Sequence, residues 1–112
     1  MMDSKACIIS TTTDSEQSAL ELGKMIIEKK LAACVQIIPG VKSIYKWQNK
    51  IEVTAEHILQ FKTTVVLAKR LMAAIKEVHH YEVPELIAVN TDLIDTHYYK
   101  WLKDVTEKDI PI

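Results

Sequence analysis

The chain has 112 residues, a length that suits one domain with a single core, taken as residues 1–112, and leaves no room for a second. Its 14 basic and 15 acidic side chains nearly cancel, so no net field recruits nucleic acid, an anionic membrane or acidic substrates. No apolar run is long enough to span a bilayer, and Met1-Met2-Asp3-Ser4-Lys5 lacks a charged-then-apolar export pattern, which makes the cytoplasm the expected address.

The first apolar segment, Lys5 to Thr12, is rich in Ile and Thr and reads as a strand. A helix is expected to start at Thr13 or Asp14, because Thr13-x-x-Glu16 and Asp14-x-x-Gln17 both have the form of a capping box. Ala19, Leu22, Gly23, Ile26 and Ile27 then recur at the spacing of one buried helical face, and Glu28-Lys29-Lys30 closes the helix with lysines at its negative end. From Ala32 to Trp47 the chain is β-like, with a bend at Pro39-Gly40, and from Lys50 to about Leu67 it is β-like again. Asn49 between them tolerates the left-handed conformation of a tight turn, so the two runs should pair as an antiparallel hairpin. Each is far longer than the usual strand of about 5 or 6 residues. The hairpin should therefore overhang the domain, with Tyr45, Trp47 and Ile51 near its tip, and this apolar edge favours cover by a neighbouring subunit's strand.

Ala68 to His79 places Ala68, Leu71, Met72, Ile75 and His79 on one helical stripe and leaves Lys69, Arg70 and Lys76 for solvent. After Pro84 a short strand is expected over Glu85 to Asn90, then a helix from about Asp95 to Thr106. The order is β-α-β-β-α-β plus a terminal helix. That is an α+β, ferredoxin-like split βαβ arrangement: an antiparallel sheet with helices on one face and a long hairpin between its second and third strands.

The block Leu31-Ala32-Ala33-Cys34-Val35-Gln36-Ile37-Ile38-Pro39-Gly40, continued by Ser43-Ile44-Tyr45-Lys46-Trp47, resembles the signature of the CutA family. Its downstream half is His79-His80-Tyr81-Glu82-Val83-Pro84-Glu85-Leu86-Ile87-Ala88, and the resemblance runs from Ala6 to about Trp101. It implies the same fold, a homotrimer in which the sheets of the subunits continue into one another, and a part in divalent-cation tolerance, copper in particular.

The segment His79-His80-Tyr81-Glu82-x-x-Glu85 holds the densest group of metal-capable residues. Imidazole suits copper and zinc and a carboxylate can complete such a site, which makes His79, His80 and Glu82 the candidate ligands for copper or another divalent ion. Adjacent helical side chains point about 100° apart, so both imidazoles serve only if the helix ends near His79. Pro84 favours that end by keeping Val83 out of the helical region. A helix-terminal His that satisfies the last carbonyls is the plainer reading of the pair. Set against the family pattern, His79 and Tyr81 match its histidine and tyrosine, whereas His80 stands where proline is usual. Ser10 stands where some members carry a thiol, and Cys7, an odd number of positions away, falls on the other strand face.

A second candidate site is a small-molecule cleft between subunits, of the kind found in PII-like signalling trimers, using Tyr81, Glu82 and Lys62, with Pro84 and Glu85 nearby. Trp47 and Lys50, or Lys62 and Thr63, could enter it from a neighbour. Tyr45 and Trp47 read as packing anchors at an interface. Glycines are too few for a long mobile regulatory loop of the PII kind. Cys7 and Cys34 form no C-x-x-C pair and are expected to be free thiols within strands. Ser10-Thr11-Thr12-Thr13-Asp14 offers hydroxyls for an anion but no glycine, which points to capping instead. Catalysis finds no constellation. The only arginine, Arg70, begins the second helix, unlike the first-loop arginine of acylphosphatase-like enzymes, and no Ser or Cys sits in a nucleophile elbow. RNA recognition would need exposed aromatics on the central strands, where only Phe61 occurs. The expectation is a non-enzymatic protein.

Overall fold

A computed structural model describes residues 2–3 and 5–106, with side chains described from Lys5 onward. The expected domain limits reach into 107–112, which lie outside the described residues. In chain order the elements are β1 Met2–Asp3, β2 Ala6–Thr13, α1 Glu16–Glu28, β3 Cys34–Trp47, β4 Lys50–Thr64, α2 Ala68–Val78, β5 Ile87–Asn90, β6 Leu93–Ile94 and α3 Thr96–Thr106. A 3-10 turn over Val65–Leu67 leads into α2. The main sheet has four antiparallel strands in the order β3-β4-β2-β5, the ferredoxin-like arrangement, while β1 and β6 form a separate small pair.

Alternation along β2 decides which side is covered. Cys7 and Ile9 point to one face, where Leu59 and Phe61 of β4 meet Ala19, Leu22 and Ile26 of α1 and Leu71 and Ile75 of α2. Each such large side chain contributes about 1.5–3 kcal/mol by leaving water. Cys7 is a core thiol whose Sγ lies 3.7 Å from the Thr64 carbonyl, and burial pushes its pKa up. α3 adds a second cluster, with Tyr99 and Leu102 against Ala6, on the side that strand alternation assigns opposite to Cys7.

Several boundaries differ from the sequence expectation. β2 runs on to Thr13 because that residue still pairs with His57, so it does not cap a helix. α1 starts at Glu16 with Ser15 as its cap, the Oγ of Ser15 accepting from the Ser18 N–H at 3.1 Å, and neither expected capping box is used. α1 ends in a Schellman pair. The Lys30 N–H donates to the Ile27 carbonyl at 3.0 Å and the Leu31 N–H to the Ile26 carbonyl at 3.2 Å, with Lys30 itself left-handed at φ 58°. β4 stops at Thr64, not Leu67, since the 3-10 turn carries Leu67 into the core. The β1–β6 pair was not anticipated, because two-residue strands carry no periodicity.

The hairpin β3–β4 stays in register from Cys34↔Lys62 to Trp47↔Lys50, broken once between Ile38 and Val41. Gly40 at φ 73° is the left-handed residue of that bulge. Gln48 and Asn49 both have positive φ, 49° and 66°, which is the form of a tight primed turn. The overhang is real: the described chain extends 45 Å along its longest axis and about half that across, 26 by 21 Å.

Candidate ligand cleft

α2 ends because His79 leaves the helix for an extended conformation, φ −67° and ψ 139°, while its N–H still bonds the Ile75 carbonyl at 2.9 Å. The segment that follows turns back over the end of β2. There the His79 Nε2 lies 2.7 Å from the Thr12 carbonyl, and the Tyr81 N–H lies 3.0 Å from His79 Nδ1. A carbonyl only accepts and an amide N–H only donates, so the ring is the neutral tautomer protonated at Nε2, with its Nδ1 lone pair already occupied. The Tyr81 ring packs on it at 4.8 Å between centroids.

Tyr81 reaches across to β4, where its hydroxyl donates to Glu56 Oε2 at 2.7 Å. Glu56 is only 7% exposed. Burial by itself would raise the Glu56 pKa, but hydroxyls of Ser43, Tyr81 and Thr12 bond its carboxylate and together hold it below the ordinary range. Tyr81 moves the other way. Burial, then the hydrogen bond and the charge of Glu56, push its phenol well above the usual value.

This network forms the floor of a cleft of about 710 Å³ between the hairpin and the 79–86 segment. Thr12 and Glu56 lie at its base, Ser43, Ile44, Tyr45 and Trp47 come from β3, and Tyr81, Glu82, Val83 and Glu85 form the facing wall. Its size is that of a site for a small organic molecule.

The expected residues divide between several places. Tyr81 and Glu82 line this cleft, joined within the same chain by Tyr45 and Trp47. His79 and His80 border a smaller cavity of about 250 Å³ on the helical side, with Glu21 and Met25. The trio His79, His80 and Glu82 is thus split between two cavities, and among the described residues no three His, Cys, Asp or Glu side chains converge as a metal-holding group. Lys62 sits on the sheet face opposite the α1–α2 core, across from Ile8 and Cys34 and toward the end that α3 covers. Six residues of strand, about 20 Å, separate it from Glu56, so it approaches a cleft of this kind only from another copy. Thr63 is fully buried with its hydroxyl donating to the Leu31 carbonyl at 2.6 Å, which removes it from any cleft. The Thr13 hydroxyl donates to the Ser15 carbonyl and Thr12 serves Glu56, so the first βα junction has little left for an anion. Cys34 is half-buried at the start of β3, and neither cysteine is paired.

Glu56 is the central residue that sequence reasoning missed. Little in the sequence marked it: Ile58, Gln60 and Lys62 share its strand face, a mostly polar pattern that does not foretell burial, and its partners Thr12, Ser43 and Tyr81 come from distant segments.

A sequence model of the family described as CutA1 divalent ion tolerance protein matches residues 7–105. The chain is 40% identical over 96 residues to Protein CutA of Homo sapiens, covering 86% of this chain and 54% of that one. It is 36% identical to the divalent-cation tolerance protein CutA of Thermus thermophilus, covering 88% of this chain and 96% of that one. This chain therefore spans about half the length of the human relative and nearly all of the bacterial one. Among solved structures, CutA from Xylella fastidiosa superposes with a TM-score of 0.90 at 33% identity, covering 92% of this chain and 99% of that one. CutA1 from Oryza sativa does so with a TM-score of 0.89 at 36% identity, covering 93% and 95%.

Proposed function

The chain belongs to the CutA1 divalent ion tolerance family, and from that premise we propose that it is a non-enzymatic homotrimer that binds or responds to divalent metal, copper in particular, in cation tolerance. The match of residues 7–105 to that family carries the reading, together with relatives named divalent-cation tolerance protein. His79 and His80, which border one cavity, are the imidazoles of this reading, and Glu82, which lines the other, would join them only if the turn between them rearranged. The Nδ1 of His79 would be open to a metal only if it gave up the Tyr81 N–H that it accepts in this structure. The trimer forms through the hairpin, whose Ile44, Ile51 and Val53 are 71%, 77% and 62% exposed in the single chain. A cytoplasmic, reducing compartment suits the two unpaired thiols.

Copper and zinc titration by calorimetry on the reduced protein tests this, beside a His79→Ala/His80→Ala variant and a mass determination. Micromolar or tighter copper binding by a trimer, lost in the variant and weakening as pH falls through the imidazole range, is the expected result. Absence of specific uptake by an intact trimer would overturn it.

A second reading is favoured by one observation, the commitment of both His79 nitrogens beside a cleft of about 710 Å³. In it the protein is a PII-like signalling trimer whose small-molecule ligand lies against Tyr81 and Glu82, with Lys62 supplied by a neighbouring subunit.

A further inference from the structure

The lining of the large cleft is sorted by charge. Glu56, Glu82 and Glu85 bring three carboxylates to it, and no Lys, Arg or His is among its lining residues. Strand alternation accounts for part of this. Ser43, Tyr45 and Trp47 share one face of β3, so Lys42 and Lys46 belong to the other. Lys50 shares Trp47's face, but at the hairpin tip, six residues from Glu56. His79 stands behind the Tyr81 ring, bonded to the Thr12 carbonyl and the Tyr81 N–H, and is not among the lining residues. Asp14, close enough to Tyr81 to affect it electrostatically, adds a further negative group.

Glu56 strengthens the case, because it is buried and anionic with hydroxyls as its only bonded partners. Hydroxyl donors spread a carboxylate's charge but leave its sign uncancelled, and the one titratable group acting on Glu56 through space, His79, makes no hydrogen bond to it, so the buried anion favours a cation in the cleft. The aromatic lining decides what kind. Tyr45, Trp47 and Tyr81 line the cleft, and aromatic rings attract ammonium and guanidinium groups while giving little to a hydrated metal ion. The carboxylates are also spread along the walls, with no three of the described His, Cys, Asp or Glu side chains close enough to share one ion.

We infer that this cleft binds an extended organic cation, an oligoamine or guanidinium compound. Its charged ends lie against Glu56, Glu82 and Glu85 and its methylene stem against Tyr45, Trp47 and Tyr81. The inference rests on one part of the second reading above, that the cleft holds a small-molecule ligand against Tyr81 and Glu82; it replaces Lys62 of a neighbour by the ligand's own cationic group as the partner of the carboxylates.

Trp47 reports on the site once Trp101, the other of the two tryptophans, is replaced by Trp101→Phe. Spermidine is titrated against this protein by fluorescence, with glutarate as a dicarboxylate of similar reach. The expected result is a saturable Trp47 response to spermidine alone. That response should be weakened about tenfold or more, the equivalent of about 1.4 kcal/mol, in Glu82→Gln/Glu85→Gln, whose two sites are exposed and leave the core untouched. Glu56→Gln serves as a second variant and should weaken spermidine further. A response to glutarate and not spermidine would overturn the cationic class while sparing the ligand-cleft reading. Silence to both, or spermidine affinity unchanged in the charge variants, would also overturn the inference. Copper calorimetry on the same protein reads the metal-binding proposal separately.

Discussion

Glu56 shows how one residue can organise a site. Its carboxylate collects three hydroxyls from three different segments, so it ties the end of β2, the hairpin and the turn after α2 to one point. Hydrogen bonds to a charged group are worth about 1.5–3 kcal/mol each, and Tyr81→Phe deletes one of them without leaving a cavity. We expect that variant to lose about 2 kcal/mol in urea denaturation at neutral pH. The pH dependence has a definite sign. Because the folded-state pKa of Glu56 lies below its unfolded value, its stabilisation is complete above the unfolded carboxylate range and is lost as pH falls through the folded value. The gap between wild type and Tyr81→Phe should therefore shrink in acid. A gap of constant size from neutral to acid pH would mean that the phenol stabilises the fold by packing and not through the carboxylate.

Among the elements, the ends are more informative than the middles. α1 closes with a Schellman motif whose left-handed position is occupied by Lys30, where a side chain costs about 1–2 kcal/mol relative to a residue without a Cβ. Lys30→Gly should raise the unfolding free energy by about 1 kcal/mol, offset in part by the greater freedom glycine has in the unfolded chain, and thermal denaturation would read the gain. A fall in stability would show that the interactions of the lysine side chain outweigh its strained backbone. The turn between β3 and β4 was legible from Asn49, because few residues adopt positive φ readily. The start of α1 was not. Thr13, Asp14 and Ser15 all have capping side chains; pairing of Thr13 with His57 across the sheet removes the first, and the Ser15 Oγ is the one that takes the Ser18 N–H.

For the whole molecule, the part of the second sheet face that α3 does not reach and the overhanging hairpin are what one chain leaves unfinished. Ile8, Val89, Ile87 and Ser10 lie on the face opposite the α1–α2 core, and both Ile87 and Val89 are more than half exposed. Substituting Ile51→Lys and Val53→Lys changes positions 77% and 62% exposed, so the fold of a single chain should be unaffected. If the hairpin holds the proposed trimer together, light scattering should then report a mass falling from three chains toward one, with the helical circular dichroism of each chain retained. An unchanged trimer would place the assembly surface elsewhere.

The order and type of the long elements follow from the sequence alone, since periods of two and of 3.6 residues in burial are local properties. The same holds for the hairpin turn, the end of α2 near His79 and the concentration of titratable groups after it. What tertiary structure decided is which of those groups meet. His79 and His80 are adjacent in sequence, yet a single backbone turn commits the His79 ring to Thr12 and Tyr81 and leaves His80 on the helical side. Glu56 and Tyr81 are 25 positions apart and share a hydrogen bond of 2.7 Å. Local periodicity places a side chain on a face of its own element, but only the packing of strand, hairpin and turn against one another determines what that side chain confronts.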